Sequence, residues 1–387
     1  MARKRTFTIF MVTAVLTAPL FSGDFSNAGH TEAAVSVTPD AVEGNISAYF
    51  DQKFGYDDGV FVIRHNLSYN PDSSQTVSGG SSQYLNYTLY QAYFDISVKK
   101  DVSLTAGKFR IPWTRSIFFA PLDKLNPGLD GLDTKSPREG FLGASLGWSV
   151  NQDIHVGACI DATDALTDPQ SFASPTFGIY GSWFTGNLDI FFSTLYQSET
   201  KGISGIAASA QFFDTIFYGE AGIEWEQHYR YPSLSGFTTD SETEYLLDGM
   251  PLVASAGIEK ILYLTNSTLS FIAEYQYTEC GYKGDELKQA LGLLLYGSDP
   301  AGPLPSFGRH HAFASAGIEL TDLLSLDNSV LCNLKDMSIL EMHSFTFFLF
   351  TDIDLKAAVQ FYRGNKETEF GQSPADYEID FSAVFHF

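Results

Sequence analysis

Residues 141–161 read FLGASLGWSVNQDIHVGACID. Leu142, Ala144, Leu146, Trp148 and Val150 take every second position, with Gly143, Ser145, Gly147 and Ser149 between them. After the break Asn151-Gln152-Asp153 the alternation resumes. Ile154, Val156, Ala158 and Ile160 face one way, and His155, Gly157, Cys159 and Asp161 the other. A period of two places one set on each face of a pleated strand, whereas a helix needs 3.6. Two such strands joined by a short polar break form an antiparallel hairpin. The same pattern recurs along the chain. Phe217, Gly219, Ala221, Ile223 and Trp225 alternate with Tyr218, Glu220, Gly222, Glu224 and Glu226; Leu269, Phe271, Ala273 and Tyr275 alternate with Ser270, Ile272, Glu274 and Gln276.

The N-terminus has a different character. Arg3, Lys4 and Arg5 precede an apolar run, Phe7 to Phe21, and Ser26-Asn27-Ala28 supplies the small residues of a signal-peptidase site. The run is shorter than the roughly 20 residues that span a bilayer. Residues 1–28 are therefore expected to be a signal peptide cleaved after about Ala28, and residues 29–44 a short periplasmic segment. No later window holds 18 consecutive apolar residues, which leaves an exported soluble β-protein or a membrane β-barrel. A β-sandwich is usually nearer 100 residues, and no fixed short repeat marks a solenoid.

Connection lengths favour the barrel. Short turns (99–101, 151–153, 185–187, 213–215, 350–353) alternate with long polar loops at 70–82, 112–140, 227–250 and 278–308. Membrane barrels show this asymmetry, with short periplasmic turns and long external loops. Trp113, Trp183, Tyr196, Trp225 and Tyr277 sit near strand ends, where interfacial aromatics belong. Seventeen strand-like segments can be counted between residues 45 and 387. An even number is required: merging 45–54 with 59–69 gives 16, and adding Ala33–Val37 gives 18. The expectation is an all-β, transmembrane antiparallel up-and-down β-barrel of about 16 strands (14–18), occupying 45–387. With about 16 mature residues ahead of the first strand, no N-terminal plug domain is expected.

The last residues, YEIDFSAVFHF, alternate to the end, with Ile379, Phe381, Ala383, Phe385 and Phe387 on one face. This segment resembles the terminal strand of Gram-negative outer-membrane barrels. The resemblance implies an assembly signal in Phe381, Phe385 and Phe387, read by the β-barrel assembly machinery. A second resemblance lies at GKFRIPW, residues 107–113. In several porin and alginate-export-type families a strand ending in Gly-Lys/Arg-x-x-Ile-x-Trp feeds a long loop with an Asn-Pro. Gly107, Lys108, Ile111, Trp113 and Asn126-Pro127 are similar to that pattern, and Cys332-Asn333-Leu334-Lys335-Asp336 stands, without its Tyr, where a later strand-end motif would fall. It implies a porin-like outer-membrane channel, set among lipid and lipopolysaccharide, with a homo-oligomer, such as a trimer, as one arrangement.

If the apolar face meets lipid, the other face lines the lumen. That puts Glu220, Glu224, Glu259, Glu274 and Glu319 inside, with Arg64 among them. Lys108 and Arg110 share a parity with apolar neighbours, so either a bulge at Gly107 turns them inward or they sit in the headgroup layer. The loop adds Arg115, Asp130, Asp133 and Arg138, and its apolar stretch Ile117–Leu122 requires burial, which folding into the barrel would supply and which would narrow the pore. The site expected from the sequence is thus a constriction formed by loop 112–140 against an acidic lumen wall, passing small hydrophilic solutes and ions.

Composition limits the alternatives. There are 46 acidic and 23 basic residues, a net charge of −23, which disfavours nucleic acid as a partner. Three Cys with no CxxC spacing give no zinc site, and neither a metal nor a cofactor is expected. A surface adhesin displaying loops 227–250 and 278–308, with a helix-like stretch at 285–295, is the alternative. A hydrolase is less favoured, because His310-His311 with Ser306 or Ser315 is the one cluster near a rim and no nucleophile motif accompanies it. The chain is not expected to be an enzyme.

Overall fold

The computed structural model describes residues 25–37, 42–56, 59–69, 85–126, 139–163, 175–197, 201–225, 250–264, 267–281, 308–350, 352–366, 368–371, 373 and 376–386. They form eighteen strands: β1 (Phe25–Val37), β2 (Val42–Tyr56), β3 (Gly59–Tyr69), β4 (Leu85–Lys99), β5 (Val102–Phe109), β6 (Phe141–Ser149), β7 (Ile154–Asp161), β8 (Thr176–Thr185) and β9 (Leu188–Gln197). The series continues with β10 (Lys201–Phe212), β11 (Thr215–Trp225), β12 (Leu252–Leu264), β13 (Ser267–Thr278), β14 (His310–Thr321), β15 (Leu324–Asn333), β16 (Ile339–Phe350), β17 (Ile353–Arg363) and β18 (Tyr377–His386). Each strand pairs antiparallel with its chain neighbours, and β1 also pairs with β18. The sheet therefore closes on itself and has no edge, which is the condition for a β-structure in hydrocarbon. No helix among the described residues is long and apolar enough to cross a membrane.

The barrel has 18 strands, at the upper end of the expected 14–18, and its first strand begins at Phe25, ahead of residue 45. All seventeen segments read from the sequence are separate strands, and the eighteenth is β1. Its sequence, FSNAGHTEAAVSV, is rich in small residues and carries little contrast between faces. Its pairing with β2 and β18 on either side supplies what its own side chains do not signal. Residues 29–37 are thus part of the wall rather than a periplasmic segment.

The two faces differ as the alternation requires. Phe94, Ile96, Leu146, Trp148, Phe177, Ile179, Phe192, Phe217, Ile223 and Phe345 are exposed on the outside, whereas their neighbours facing in are small, polar or buried. The short turns use tight geometries. At the β10–β11 turn Phe213 and Asp214 both have positive φ, 46° and 60°, the conformation of a type I′ hairpin, whose twist matches that of the strands. Cys159, Cys280 and Cys332 form no disulfide.

Candidate functional site: an inward-folded loop on the barrel wall

The chain leaves β5 at Phe109 and turns into the barrel. Gly107 has φ +126°, and a Cβ there would lie 2.2 Å from the Ala92 carbonyl oxygen, so only glycine fits this approach. No register shift accompanies it in the pairing with β4. Trp113, expected in an interfacial belt, is instead fully buried inside, edge-on to Tyr180 of β8 and Phe191 of β9. Gly178 makes room for it, since a Cβ there would lie 2.8 Å from the Trp113 ring.

Beyond Trp113 the backbone is held by the carboxylates that the alternation places on the inner face. Glu220 on β11 accepts the Thr114 hydroxyl at 2.5 Å and the amides of Arg115 at 3.1 Å, Ser116 at 3.5 Å and Leu122 at 3.1 Å. Glu274 on β13 accepts the amides of Ile117, Phe118 and Phe119 at 2.6, 3.0 and 3.0 Å, and the Tyr218 hydroxyl at 2.8 Å. Glu224 receives the Lys124 ammonium at 3.0 Å. Ser116 shares a hydrogen bond with Ser255 of β12. All three carboxylates are buried. A buried carboxylate is costly unless donors surround it, and here consecutive backbone N–H groups of an irregular loop supply them, so loop and wall satisfy each other.

The apolar stretch finds its burial in the same place. Phe118 stacks on Phe313 of β14 with ring centroids 4.0 Å apart. Leu122 is fully buried over Gly205 and Gly222, where a Cβ would come within 2.4 Å of its side chain. Arg115 pairs with Asp189 at 2.6 Å and lies over the Phe191 ring. Asn126 donates back to the Ile111 carbonyl at 2.9 Å and closes the loop at its base.

Loop 110–126 thus follows the wall from β8 to β14. Its contacts place it on one half of the ring, facing the arc β15–β18 and β1–β4. Arg64 belongs to that arc. It donates to Asp51 at 3.1 Å and to Gln91 at 2.8 Å. Nearby, by register, Tyr49, Lys53, Tyr93 and Asp95 share its face. Lys108 donates to the Leu89 carbonyl at 2.5 Å and pairs with Glu139 at 3.4 Å. With Lys124, Asn126 and Asp161 it lines a cavity of about 350 Å³ at the root of the loop. Arg110 Nε is buried with no hydrogen-bond partner among the described residues. Glu319 is exposed, at the end of β14 beside the turn, away from the loop.

Of the residues singled out from sequence, Arg115, Glu220, Glu224 and Glu274 are brought together. Arg64 and Glu319 stand apart from them. Asp130, Asp133, Arg138, Phe387 and the 285–295 stretch lie outside the described residues. Phe381 and Phe385 are on the outer face. His310 meets the Tyr275 hydroxyl at 2.6 Å, and His311 meets Glu369 at 2.9 Å. Sequence reasoning missed Thr114, Asp189, Tyr218, Ser255 and Phe313. Each lies on a strand or loop already identified, but the hydrogen bonds of the first four span 56 to 139 positions, and alternation fixes a face, not a partner.

No protein family and no curated protein matches the chain by sequence. Solved structures match it by fold. Acinetobacter baumannii OccAB1 aligns over 95% of this chain and 97% of its own, at 9% identity and a TM-score of 0.57. Pseudomonas aeruginosa OccK5 (OpdH) aligns over 94% and 98%, at 9% identity and a TM-score of 0.55. Pseudomonas aeruginosa OprD aligns over 94% and 95%, at 12% identity and a TM-score of 0.53. At these identities the likeness is one of architecture: a closed, porin-like antiparallel barrel of 18 strands.

Proposed function

We propose that this chain is an outer-membrane channel through which small hydrophilic solutes and ions diffuse, narrowed by the loop within 112–140. The observation that carries the reading is the loop itself. It folds inward, and Glu220 and Glu274 hold it against one half of a closed wall. A barrel of this strand number is wide enough for an aqueous lumen, and a loop confined to one side narrows the lumen without filling it. The solved proteins sharing the fold are outer-membrane porins.

The opening then lies between the loop and the arc carrying Arg64. Asp51, Asp95, Asp354, Glu378 and Asp380 have the inward parity on that arc, with Lys53, Arg64 and Lys356 as the bases. Acids outnumber bases there, which favours cations. Glu220, Glu224 and Glu274 contribute little to this field, because N–H groups and Lys124 already surround them. Export fits the geometry as well. The β1–β18 register begins at His30↔His386, so cleavage after Ala28 would leave the whole of that pairing intact. The histidine pair engages Tyr275 and Glu369.

The test is single-channel conductance of the refolded protein in a planar bilayer under a salt gradient. Stable steps with a cation-selective reversal potential are expected. A folded, inserted barrel that stays silent would overturn the channel reading and favour the display of external loops.

A further inference from the structure

The cavity at the root of the loop lies apart from the opening. Its walls come from residues 124–126 of the loop and from the ends of β5–β10 on the side where that loop leaves the barrel. The strand register carries it round the wall: Lys108 is opposite Leu142, Gly143 opposite Asp161, Asp161 opposite Thr176, and Thr176 opposite Gln197. None of its lining residues belongs to β15–β18 or β1–β4, the arc that borders the opening. A molecule held here touches loop and wall together without standing in the path of diffusion. At about 350 Å³ the cavity is at the small end of ligand pockets, which run from roughly 300 to 1,000 Å³. That suits an amino acid or a dipeptide and is too small for an oligomer.

The lining carries both signs of charge. Lys124 is half-exposed and its printed partner across the loop is replaced by no second acid: it pairs with Glu224 at 3.0 Å, and an ammonium has three donors to give. Lys108 is already engaged by the Leu89 carbonyl and Glu139. Asp161 accepts the Thr163 amide at 2.8 Å and the Thr163 hydroxyl at 2.6 Å, both on Oδ1, whereas a carboxylate has about four acceptor sites. Asn126 is 5% exposed. Its Nδ2 donates to the Ile111 carbonyl and to Asp123, each at 2.9 Å, which fixes the amide. Its Oδ1 is buried and has no hydrogen-bond partner among the described residues. A buried acceptor left in that state is costly, so the position calls for a donor. Phe141, Leu195 and Ile203 supply an apolar side.

We infer that this cavity binds a zwitterionic amino acid or dipeptide, and that the bound molecule holds the loop in its docked position. The ammonium faces Asp161 and the Asn126 oxygen, the carboxylate faces Lys124, and an aliphatic side chain lies against Phe141 and Leu195. A solute with one charge would gain from one end of the cavity and meet like charge at the other. A zwitterion is matched at both. Undocking carries Lys124 and Asn126 away from Asp161 and the wall, so the ligand binds the docked state better and shifts the equilibrium toward it. The binding stands without the channel reading; the effect on current rests on it.

The test uses the full mature protein in mild detergent, with heat-modifiable gel mobility as the control for folding. Calorimetry with a panel of glycine, leucine, glutamine and alanyl-leucine should detect binding, strongest for the members with an aliphatic side chain. The two single-charge analogues of leucine, 4-methylpentanoate and 3-methylbutylamine, should bind at least about tenfold more weakly, as should leucine to Asp161→Asn and to Lys124→Gln. At ten times its Kd the ligand should lower the undocked fraction about elevenfold, read as slower tryptic cleavage at Arg115. In bilayers of the Glu274→Gln variant, whose loop has lost a charged acceptor, the ligand should make excursions to larger conductance rarer and leave the main step at full height. Folded protein that binds no member of the panel would overturn the inference, as would equal binding of glucose or binding that both variants leave intact. A main step reduced by ligand would place the ligand in the opening and overturn the assignment to this cavity. Binding and protease protection in a protein that carries no current would uphold the site and overturn the channel reading alone.

Discussion

Replacing Glu274 by Gln should free the loop. The Glu274 carboxylate accepts three consecutive loop amides, at 2.6, 3.0 and 3.0 Å, and the Tyr218 hydroxyl at 2.8 Å. Hydrogen bonds to a charged acceptor contribute about 1.5–3 kcal/mol each, against about 0.5–1.5 for neutral pairs. The amide keeps one acceptor oxygen and turns an NH₂ toward a backbone N–H. Two amides then drop to neutral bonds, and one loses its partner inside the barrel. The sum is a loss of roughly 3–6 kcal/mol of docking energy, which raises the undocked population by about 10² to 10⁴. Single-channel recording should show larger and noisier steps. Trypsin should gain access to Arg115 and Lys124, which the docked loop holds against the wall. Selectivity should change little, since this carboxylate is already matched by donors. Unchanged conductance, noise and protease resistance in a correctly folded Glu220→Gln/Glu274→Gln double variant would refute the reasoning, because both clamps would then be dispensable.

Gly222→Val should displace Leu122, whose side chain would meet the new Cβ at 2.4 Å, and so raise conductance with barrel mobility on gels unchanged. Trp113→Ala should lower stability by about 3–5 kcal/mol, the usual cost of emptying a fully buried aromatic site, read as an earlier thermal transition in detergent. Arg64→Gln removes a base from the open arc and should move the reversal potential toward stronger cation preference; no movement would place Arg64 off the conduction path. Deleting Phe387 should reduce assembly into membranes, scored as the fraction of heat-modifiable protein in outer-membrane preparations; normal yield would refute the terminal-signal reading.

The legible part of this molecule is whatever alternation encodes. Segments such as 141–150 and 216–226 emerge as β6 and β11 within a residue, because each face meets a different environment and every second side chain reports it. Glu220, Glu224 and Glu274 could be placed on the inner face for the same reason. Strand β1 shows in the sequence only through Ala33–Val37, because Ala, Ser and Gly suit either environment and because Ser26-Asn27-Ala28 also suits a peptidase. The role of the carboxylates was misjudged for another reason. An acid on an inner face looks the same in sequence whether it faces water or three amides of a returning loop. That loop announced its need for burial through Ile117–Leu122, but its docking partners sit on strands about 100 residues later.

The seam between β1 and β18 has a consequence for the order of events in folding. Eight residue pairs, from His30↔His386 to Val37↔Ile379, join the two ends of the chain, so this contact has the greatest sequence separation in the molecule and the largest loop-closure cost. Loop 110–126 rests on β11 to β14, which emerge during synthesis long after it does. While the sheet is still open, the loop can reach its seat from the side. Once the seam is zipped, the only approach is through the mouth, past the wall it must bind. Docking before closure is therefore the cheaper sequence, and a loop that misses its seat would be enclosed in the wrong place, leaving misassembled barrels as the kinetic signature of a weakened clamp.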